Sequence, residues 1–257
     1  MQTSSEYAFG GRISSAANLL LGGLTDLLFP PHCAVCNRSI DIREGRFCAE
    51  CRAGLPFVSG NRCPKCGHEL GEYAAVHTRC HSCADKTLHF RSATAPFRYE
   101  EPVRGLILQM KLARRPDLAA PLADALADHL EKEGTMGETD VIVPVPLHWR
   151  RHLHRGYNQA LLIARTISRR FDVKLDSRSL RRLRPTGTQT SLTMQSRLDN
   201  LAGAFGLRRN GAFRGLRVLL IDDVLTTGAT CAECSRVLMR AGSARAVRVA
   251  TVARTML

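Results

Sequence analysis

Hydrophobic and polar positions repeat with two different periods along residues 91–257, and these periods predict alternating strands and helices. Apolar residues three and four positions apart predict helices over residues 103–112, 118–130, 158–171 and 229–241. Short apolar runs predict strands over residues 91–99, 140–146, 216–222 and 246–252. The runs VIVPV at 141–145 and RVLLID at 217–222 lack alternation, which is typical of strands buried on both faces. We therefore expect an α/β fold, an open and mainly parallel sheet flanked by helices, with a ligand crevice at the carboxyl ends of its strands.

The N-terminal segment carries one apolar stripe, formed by Ile13, Ala17, Leu20, Leu24 and Leu27. This spacing predicts an amphipathic helix within residues 1–29 that packs on the rest of the protein, with weak contact to a membrane surface or a partner as the alternative. The sequence has no uncharged apolar run long enough to span a bilayer, and Asp26 interrupts the stripe, unlike in a signal peptide. We expect a cytoplasmic protein, with peripheral contact at the inner face of the cytoplasmic membrane as the alternative.

The ten cysteines all lie in CxxC pairs, and the first four pairs predict a double zinc ribbon within residues 30–88. A CxxC turn aims two thiolates at one point and a second pair completes a tetrahedron, so eight cysteines predict two structural Zn²⁺ ions. A disulfide framework is the alternative, but nothing in the sequence indicates secretion. Tandem pairing assigns Cys33, Cys36, Cys48 and Cys51 to one ion and Cys63, Cys66, Cys80 and Cys83 to the other. An interleaved pairing remains open at this point.

Four histidines near the ribbons and the fifth cysteine pair could also bind metal, but we do not expect them to be ligands. Four thiolates per ion leave no need for His32, His68, His77 or His81, which we expect at the solvated surface. The fifth pair, Cys231 and Cys234, lies on one face of a predicted helix and is expected to fill the core, with a redox motif as the alternative.

The charge balance indicates which partners the protein attracts. The chain has 37 Lys and Arg against 23 Asp and Glu, a formal net charge of +14. Such an excess predicts attraction to polyanions, whether nucleic acid, acidic lipid or phosphorylated small molecules. Aromatic residues make up only 5% of the chain, so any binding of single-stranded DNA should depend mainly on phosphate contacts.

The string VLLIDDVLTTGAT at residues 218–230, where a predicted strand runs into a predicted helix, carries more specific chemistry. A Gly/Thr turn at a helix N-terminus presents backbone N–H groups and hydroxyls that suit a phosphate monoester. Asp222 and Asp223 would repel a phosphate, so we expect them to accept hydrogen bonds from hydroxyl groups or to bind a divalent cation. A sugar phosphate satisfies both halves of the string. The sequence is neither a Walker A loop nor GxGxxG.

This string closely resembles the phosphoribosyl pyrophosphate (PRPP) motif of the type I phosphoribosyltransferases. The resemblance implies that Asp222 and Asp223 bind the ribose hydroxyls and serve as catalytic residues. It also implies a site for the 5-phosphate of PRPP at Thr226, Thr227, Gly228, Ala229 and Thr230. From residue 29 onward the chain resembles the ComF family of competence-associated proteins. The strings that carry this resemblance are LFPPHC at 28–33, APFRY at 95–99, MKL at 110–112, VPVPLH at 143–148, RGYNQ at 155–159, TQT at 188–190, Arg197, Asn200 and AF at 204–205.

The resemblance extends to a second half of the site, which would hold pyrophosphate. Residues 144–147 resemble the pyrophosphate loop of the phosphoribosyltransferases, and several arginines follow them. The residues implied are Val145, Pro146, Leu147, Arg150, Arg151 and Arg155, with Mg²⁺ accompanying PRPP. The Thr- and Gly-rich residues 185–192 are expected to form a hood that closes over PRPP. Residues 89–257 would then form a phosphoribosyltransferase-like domain.

Two hypotheses of function follow from the resemblance. In the first, the protein binds PRPP with Mg²⁺ and transfers phosphoribosyl groups to an unknown acceptor, in DNA uptake during natural transformation or in a nucleotide-related pathway. In the second, it senses PRPP without turnover and binds single-stranded DNA, alongside proteins of the competence machinery. The sequence does not identify the acceptor.

Overall fold

The structure, a computed structural model, describes residues 31–41, 45–71, 74, 79–148, 153, 155–184 and 201–256. Contacts between Cα atoms divide the chain into two compact units, residues 1–54 and residues 55–257. The helix predicted within residues 1–29 lies outside the described residues. The domain boundaries predicted after residues 29 and 88 stay predictions.

The described part of the first unit is organised around four cysteines. Its helix α1 (Ala49–Ala53) begins after Cys48, whose Sγ accepts a hydrogen bond from the Cys51 amide at 3.4 Å, and it ends at Gly54. The buried residues that pack together here are Cys33, Ile40 and Cys48. The apolar cluster is small among the residues of this unit that the structure describes, so we expect a bound metal to contribute to the stability of this part of the chain.

The second unit contains the predicted parallel sheet. Its strands are β1 (Ser92–Thr94), β2 (Phe97–Arg98), β3 (Val141–Pro144), β6 (Arg217–Leu225) and β7 (Ala246–Arg254). The order is β1-β7-β6-β3, with β2 also pairing with β7, and every pair is parallel. Two short strands, β4 (Leu180–Arg182) and β5 (Phe205–Leu207), form a separate antiparallel pair that the sequence analysis did not predict.

The helices lie where the periodicity predicts them. They are α2 (Val103–Leu112), α3 (Ala119–Lys132), α4 (Gln159–Phe171) and α5 (Ala229–Arg240). The central strands β3 and β6 are buried on both faces as expected, since Ile142, Val143, Leu219 and Leu220 are each 0% exposed. No helix in the described part of the chain is long and apolar enough to cross a membrane.

The direction in which successive strands are added to the sheet reverses between β3 and β6. After β3 it passes through α4 and returns to a parallel bridge between Leu175 and Ile142, on the edge of β3 away from β6. After β6 it passes through α5 and returns as β7, on the other side of β6. Adjacent strands whose connections leave in opposite directions define a topological switch point, where the carboxyl ends of the strands open a crevice.

The second cysteine cluster shares one core with the sheet. Cys63, Cys66, Cys80 and Cys83 are 5% exposed or less. They pack in a single cluster of buried residues with Leu88 and Phe90, with Val218 and Leu220 of β6, and with Val237 of α5. The polypeptide around this cluster therefore covers part of the sheet on the face that α5 also covers.

Candidate functional site

The eight cysteines form two separate clusters with the geometry of zinc sites. In each cluster, Cys33/Cys36/Cys48/Cys51 and Cys63/Cys66/Cys80/Cys83, the four Sγ atoms lie within 4.8 Å of one another. A tetrahedron of thiolates about 2.3 Å from zinc has edges of about 3.8 Å. The Sγ–Sγ distances of 3.9 Å for Cys36–Cys48, 3.8 Å for Cys63–Cys83 and 3.6 Å for Cys66–Cys80 match this edge. The donors fit zinc, and the tandem pairing is confirmed over the interleaved one.

Backbone amides favour the thiolate form of one cysteine in each cluster. Burial acts to raise the pKa of Cys33, but amide hydrogen bonds from Cys36, Cys48 and Val35 outweigh it and lower the pKa to about 6. The same balance, with amides of Cys66, Lys65 and Cys80, lowers the pKa of Cys63 to about 7. A ribbon turn that directs N–H groups at sulfur prepares it to bind a cation.

The four histidines near the ribbons, which were expected at the solvated surface, do not all lie there. His32 and His81 are exposed, and His77 lies outside the described residues. The expectation for His68 is wrong: the residue is 6% exposed, and its ring lies edge-on to the ring of His81 with centroids 5.5 Å apart. Burial lowers the pKa of His68, so it is a neutral part of the core.

The fifth CxxC pair fills the core as expected. Cys231 and Cys234 are 1% and 0% exposed, and they pack within the cluster shared by α5 and the sheet. Burial raises the pKa of both thiols well above the ordinary value. A buried thiol with a raised pKa is unreactive, which favours the core interpretation over the redox motif.

Asp222 and Asp223 lie near the carboxyl end of β6, at the crevice that opens between the carboxyl ends of β3 and β6. The strand continues past them to Leu225, three residues further than the sequence predicts. The Asp222 carboxylate accepts a hydrogen bond from the Asp223 amide at 2.9 Å, and Asp223 Oδ1 lies 2.8 Å from Lys111 Nζ. Burial, followed by repulsion from Asp223, raises the pKa of Asp222 to about 7.

The Thr/Gly turn connects β6 directly to α5. Gly228 is the N-cap of α5 with φ +81, a left-handed conformation that glycine adopts without steric cost. Thr226 is exposed, and Thr227 Oγ1 accepts a long hydrogen bond of 3.4 Å from the Ala229 amide. The first turn of α5 carries no acidic residue, so no carboxylate of the helix itself offsets the positive end of its dipole. Thr230 follows in that first turn and is half-buried.

The predicted pyrophosphate loop begins beside the acidic pair. Pro144 of β3 pairs with Ile221 of β6, and the Val145 amide donates to the Ile221 carbonyl at 2.8 Å. The Val145 carbonyl in turn accepts a hydrogen bond of 3.0 Å from Asn158 Nδ2. Residues 145–147 therefore leave β3 next to the strand that carries the carboxylates.

The arginines of the predicted loop are only partly described. Arg155 is half-buried, and its Nη1 donates to Gln159 Oε1 at 3.4 Å. Arg150 and Arg151 lie outside the described residues, as does the segment 185–192 predicted as a hood. Their roles stay predictions.

Lys111 is a residue of the crevice that the sequence analysis quoted without assigning a role. It is separated from Asp223 by 112 positions, and only the string MKL at 110–112 in the family resemblance pointed to it. It lies in the last turn of α2, and Tyr157 OH donates to the carbonyl of the preceding Met110. The crevice thus joins α2, the loop after β3 and the end of β6.

The second cysteine cluster lies close to the Thr/Gly turn. A small cleft is lined by Ser82 and Lys86 from the cysteine-rich segment and by Thr226, Thr227 and Gly228 from the turn. Arg254, at the end of β7, is 4% exposed and donates a hydrogen bond to the Cys66 carbonyl. The turn therefore rests against the ribbon rather than facing solvent on all sides.

Comparison with known proteins places these features in a family. Residues 24–85 match the double zinc ribbon domain family, and residues 157–256 match the phosphoribosyl transferase domain family. The DNA utilization protein YhgH of Salmonella typhi is 33% identical over 90% of this chain and 100% of its own length. Competence protein F of Haemophilus influenzae is 32% identical over 82% of this chain and 91% of its own.

A solved structure of adenine phosphoribosyltransferase from Saccharomyces cerevisiae aligns with 54% of this chain and 67% of its own. It is 18% identical with a TM-score of 0.34, a level of similarity that supports no inference about function. The family matches establish the phosphoribosyltransferase-type fold and the double zinc ribbon, and the two relatives align with this chain over most of its length. The chain belongs to the ComF family of competence-associated proteins.

Proposed function

We propose that this protein binds PRPP together with Mg²⁺ in the crevice between the carboxyl ends of β3 and β6. The observation that carries the proposal is the position of Asp222 and Asp223, at a switch point and directly before a helix N-terminus. Open α/β sheets bind ligands at such points, and the helix N-terminus suits a phosphate.

Each part of the crevice suits one part of PRPP. The amides and hydroxyls of residues 226–230 would hold the 5-phosphate, and Asp222 and Asp223 would accept hydrogen bonds from the ribose hydroxyls. Residues 145–147 would contact the pyrophosphate from β3. The three groups come from neighbouring strands, so the sheet itself sets the spacing between them.

Mg²⁺ fits this site as an ion that arrives with the ligand. Mg²⁺ prefers carboxylate and phosphate oxygens and usually retains several waters, rather than occupying an all-protein cage. Asp223 already pairs with Lys111, so the two carboxylates do not form a ready-made cage. When bound, Mg²⁺ would neutralise charge that develops on the departing pyrophosphate.

Calorimetry with PRPP and Mg²⁺ tests the site directly. The double variant Asp222→Ala/Asp223→Ala should bind PRPP at least about tenfold more weakly, because two hydrogen bonds to charged acceptors are lost. The matched control is Asp128→Ala/Glu131→Ala, a pair of carboxylates that are 55% and 61% exposed on α3. Circular dichroism and zinc content verify the fold. Unchanged affinity in the double variant would remove the site assignment, and no binding by the unaltered protein would remove the proposal.

Turnover separates a transferase from a sensor. In a phosphoribosyl transfer, the bond between the anomeric carbon and the pyrophosphate oxygen breaks while a bond to the acceptor forms. Pyrophosphate release with a panel of nucleobases is the assay. Release that depends on the acceptor and is lost in the double variant indicates an enzyme, whereas tight binding without release across the panel favours a PRPP sensor.

The second candidate function, handling of single-stranded DNA, is favoured by the net charge of +14 and by the names of the relatives, which refer to DNA utilization and competence. Binding through phosphates predicts that the logarithm of the affinity falls linearly with the logarithm of the salt concentration. Fluorescence anisotropy with a labelled oligonucleotide measures this slope. A flat response would contradict phosphate-driven binding.

A further inference from the structure

The ion pair between Lys111 and Asp223 is shielded from solvent and crosses from a helix to the ligand crevice. The Lys111 and Asp223 side chains are 20% and 13% exposed, and Nζ lies 2.8 Å from Oδ1. Most other ion pairs of the described residues contain at least one side chain that is 31% exposed or more. A shielded pair is screened less by salt and water than a surface pair, so it has a larger influence on the site.

Two features fix the last turn of α2, which carries Lys111. Its neighbour Met110 is 0% exposed and anchors the last turn of α2 in the core. Tyr157 OH donates to the Met110 carbonyl, and the next residue, Asn158, holds the Val145 carbonyl through its side-chain amide. The same short segment therefore positions both Lys111 and the start of the predicted pyrophosphate loop.

The donor count at this pair leaves capacity for a ligand. A lysine ammonium has three N–H donors, of which the contact with Asp223 Oδ1 uses one. A carboxylate accepts through both oxygens, so Asp223 can accept a hydrogen bond from a hydroxyl group without releasing Lys111 completely. A ligand with a diol beside an anionic group matches these two neighbouring side chains.

We propose that Lys111 is a ligand-binding residue of the crevice, holding Asp223 in the free protein and donating to the diphosphate of PRPP when Asp223 accepts a ribose hydroxyl. This inference rests on the proposed function. It assigns the positive charge that faces the diphosphate to α2, outside both the Thr/Gly turn and the loop after β3.

The test uses ligands that contain only one half of PRPP. Calorimetry with ribose 5-phosphate, with inorganic pyrophosphate and with PRPP, each with Mg²⁺, is performed on Lys111→Met and Asp223→Asn. Lys111→Met should lose at least about tenfold in affinity for pyrophosphate and PRPP, and it should bind ribose 5-phosphate within about twofold of the unaltered protein. Asp223→Asn should show the opposite pattern for the two half-ligands.

Two further variants control the experiment. Lys132→Met removes an exposed lysine of α3 and should leave all three affinities unchanged. Lys111→Arg retains the charge and should recover part of the pyrophosphate affinity, and it provides the same comparison if Lys111→Met does not fold.

The outcomes separate the two proposals. Equal losses for both half-ligands in Lys111→Met, or no loss in either, would overturn the role of Lys111 while leaving PRPP binding intact. If the unaltered protein binds none of the three ligands, the proposed function itself fails.

Discussion

Replacing Asp222 with Asn should stabilise the protein at neutral pH while weakening its ligand site. Burial first, and the charge of Asp223 second, raise the pKa of Asp222 from 3.8 to about 7. The asparagine side chain has nearly the same shape, and its oxygen can still accept the hydrogen bond that Asp222 accepts from the Asp223 amide. The substitution therefore removes the buried charge with little change in packing.

The sign follows from which state binds more protons. The unfolded chain ionises this carboxyl near pH 3.8, whereas the folded protein keeps the proton to about pH 7. Between these values the folded state binds more protons, so wild-type stability falls as pH rises through this window. At 1.36 kcal/mol for each pKa unit, the advantage of Asp222→Asn is under about 2 kcal/mol at pH 5 and reaches about 4 kcal/mol at pH 8.

Urea unfolding followed by circular dichroism, at several values between pH 5 and pH 8, measures the difference in free energy of unfolding. The control is Asp128→Asn, which alters an exposed carboxylate on α3 and should show no such rise with pH. PRPP affinity, measured at pH 8 where Asp222 is ionised, should fall in Asp222→Asn because a neutral amide oxygen is a weaker acceptor than a carboxylate. An Asp222→Asn protein that is no more stable than wild type at pH 8, or a stability difference that does not change with pH, would refute this reasoning.

Three other predictions concern the glycines and the metal. Gly67→Ala should destabilise the protein by several kcal/mol more than Gly60→Ala, as measured by urea unfolding. Both glycines have φ +71, so the backbone cost of alanine is the same at the two positions. A Cβ at Gly67 would lie 2.5 Å from the Ala93 carbonyl oxygen, whereas a Cβ at Gly60 would meet nothing within 4 Å. Equal losses would show that backbone conformation alone sets the cost. A chelator with a colorimetric zinc readout should remove the ion of the first cluster faster than the ion of the second. Cys36 of the first cluster is exposed, whereas all four cysteines of the second cluster are buried. A single release phase for both ions would contradict this prediction. Gly228→Ala should cost about 1 kcal/mol of stability from its left-handed backbone and weaken PRPP binding, with Gly228→Asn tolerated better on both measures; an alanine variant that binds PRPP normally would argue against a role for the turn.

Periodicity was sufficient for most of the fold because the central elements are long and strongly patterned. The helix α2 has the predicted bounds, and α4 differs by one residue at its start, where Asn158 is the N-cap. Strand β6 extends beyond its prediction because Asp222 and Asp223 ended the apolar run but not the hydrogen bonding to β7. The three-residue strands β4 and β5 are too short to show any period.

The candidate site was predictable only where its residues are adjacent in the sequence. The acidic pair and the Thr/Gly turn form one string, so local chemistry indicated them together. Lys111 contacts Asp223 from a different element of the fold. A local sequence pattern does not show which lysine side chain will be partly buried by packing in the folded chain. The burial of His68 was missed for the same reason, since it depends on contacts made only in the folded chain.

The second cysteine cluster and the sheet share one core, so the zinc ion of that cluster helps to hold the sheet's own core together. Apolar side chains usually cover this face of a sheet, but here the cysteines of the zinc site cover part of it. The zinc site therefore takes the place of apolar side chains in the core. Loss of that ion would expose strand residues beside the Thr/Gly turn, and zinc scarcity would then act on this protein in the same way as a large-to-small mutation in its interior.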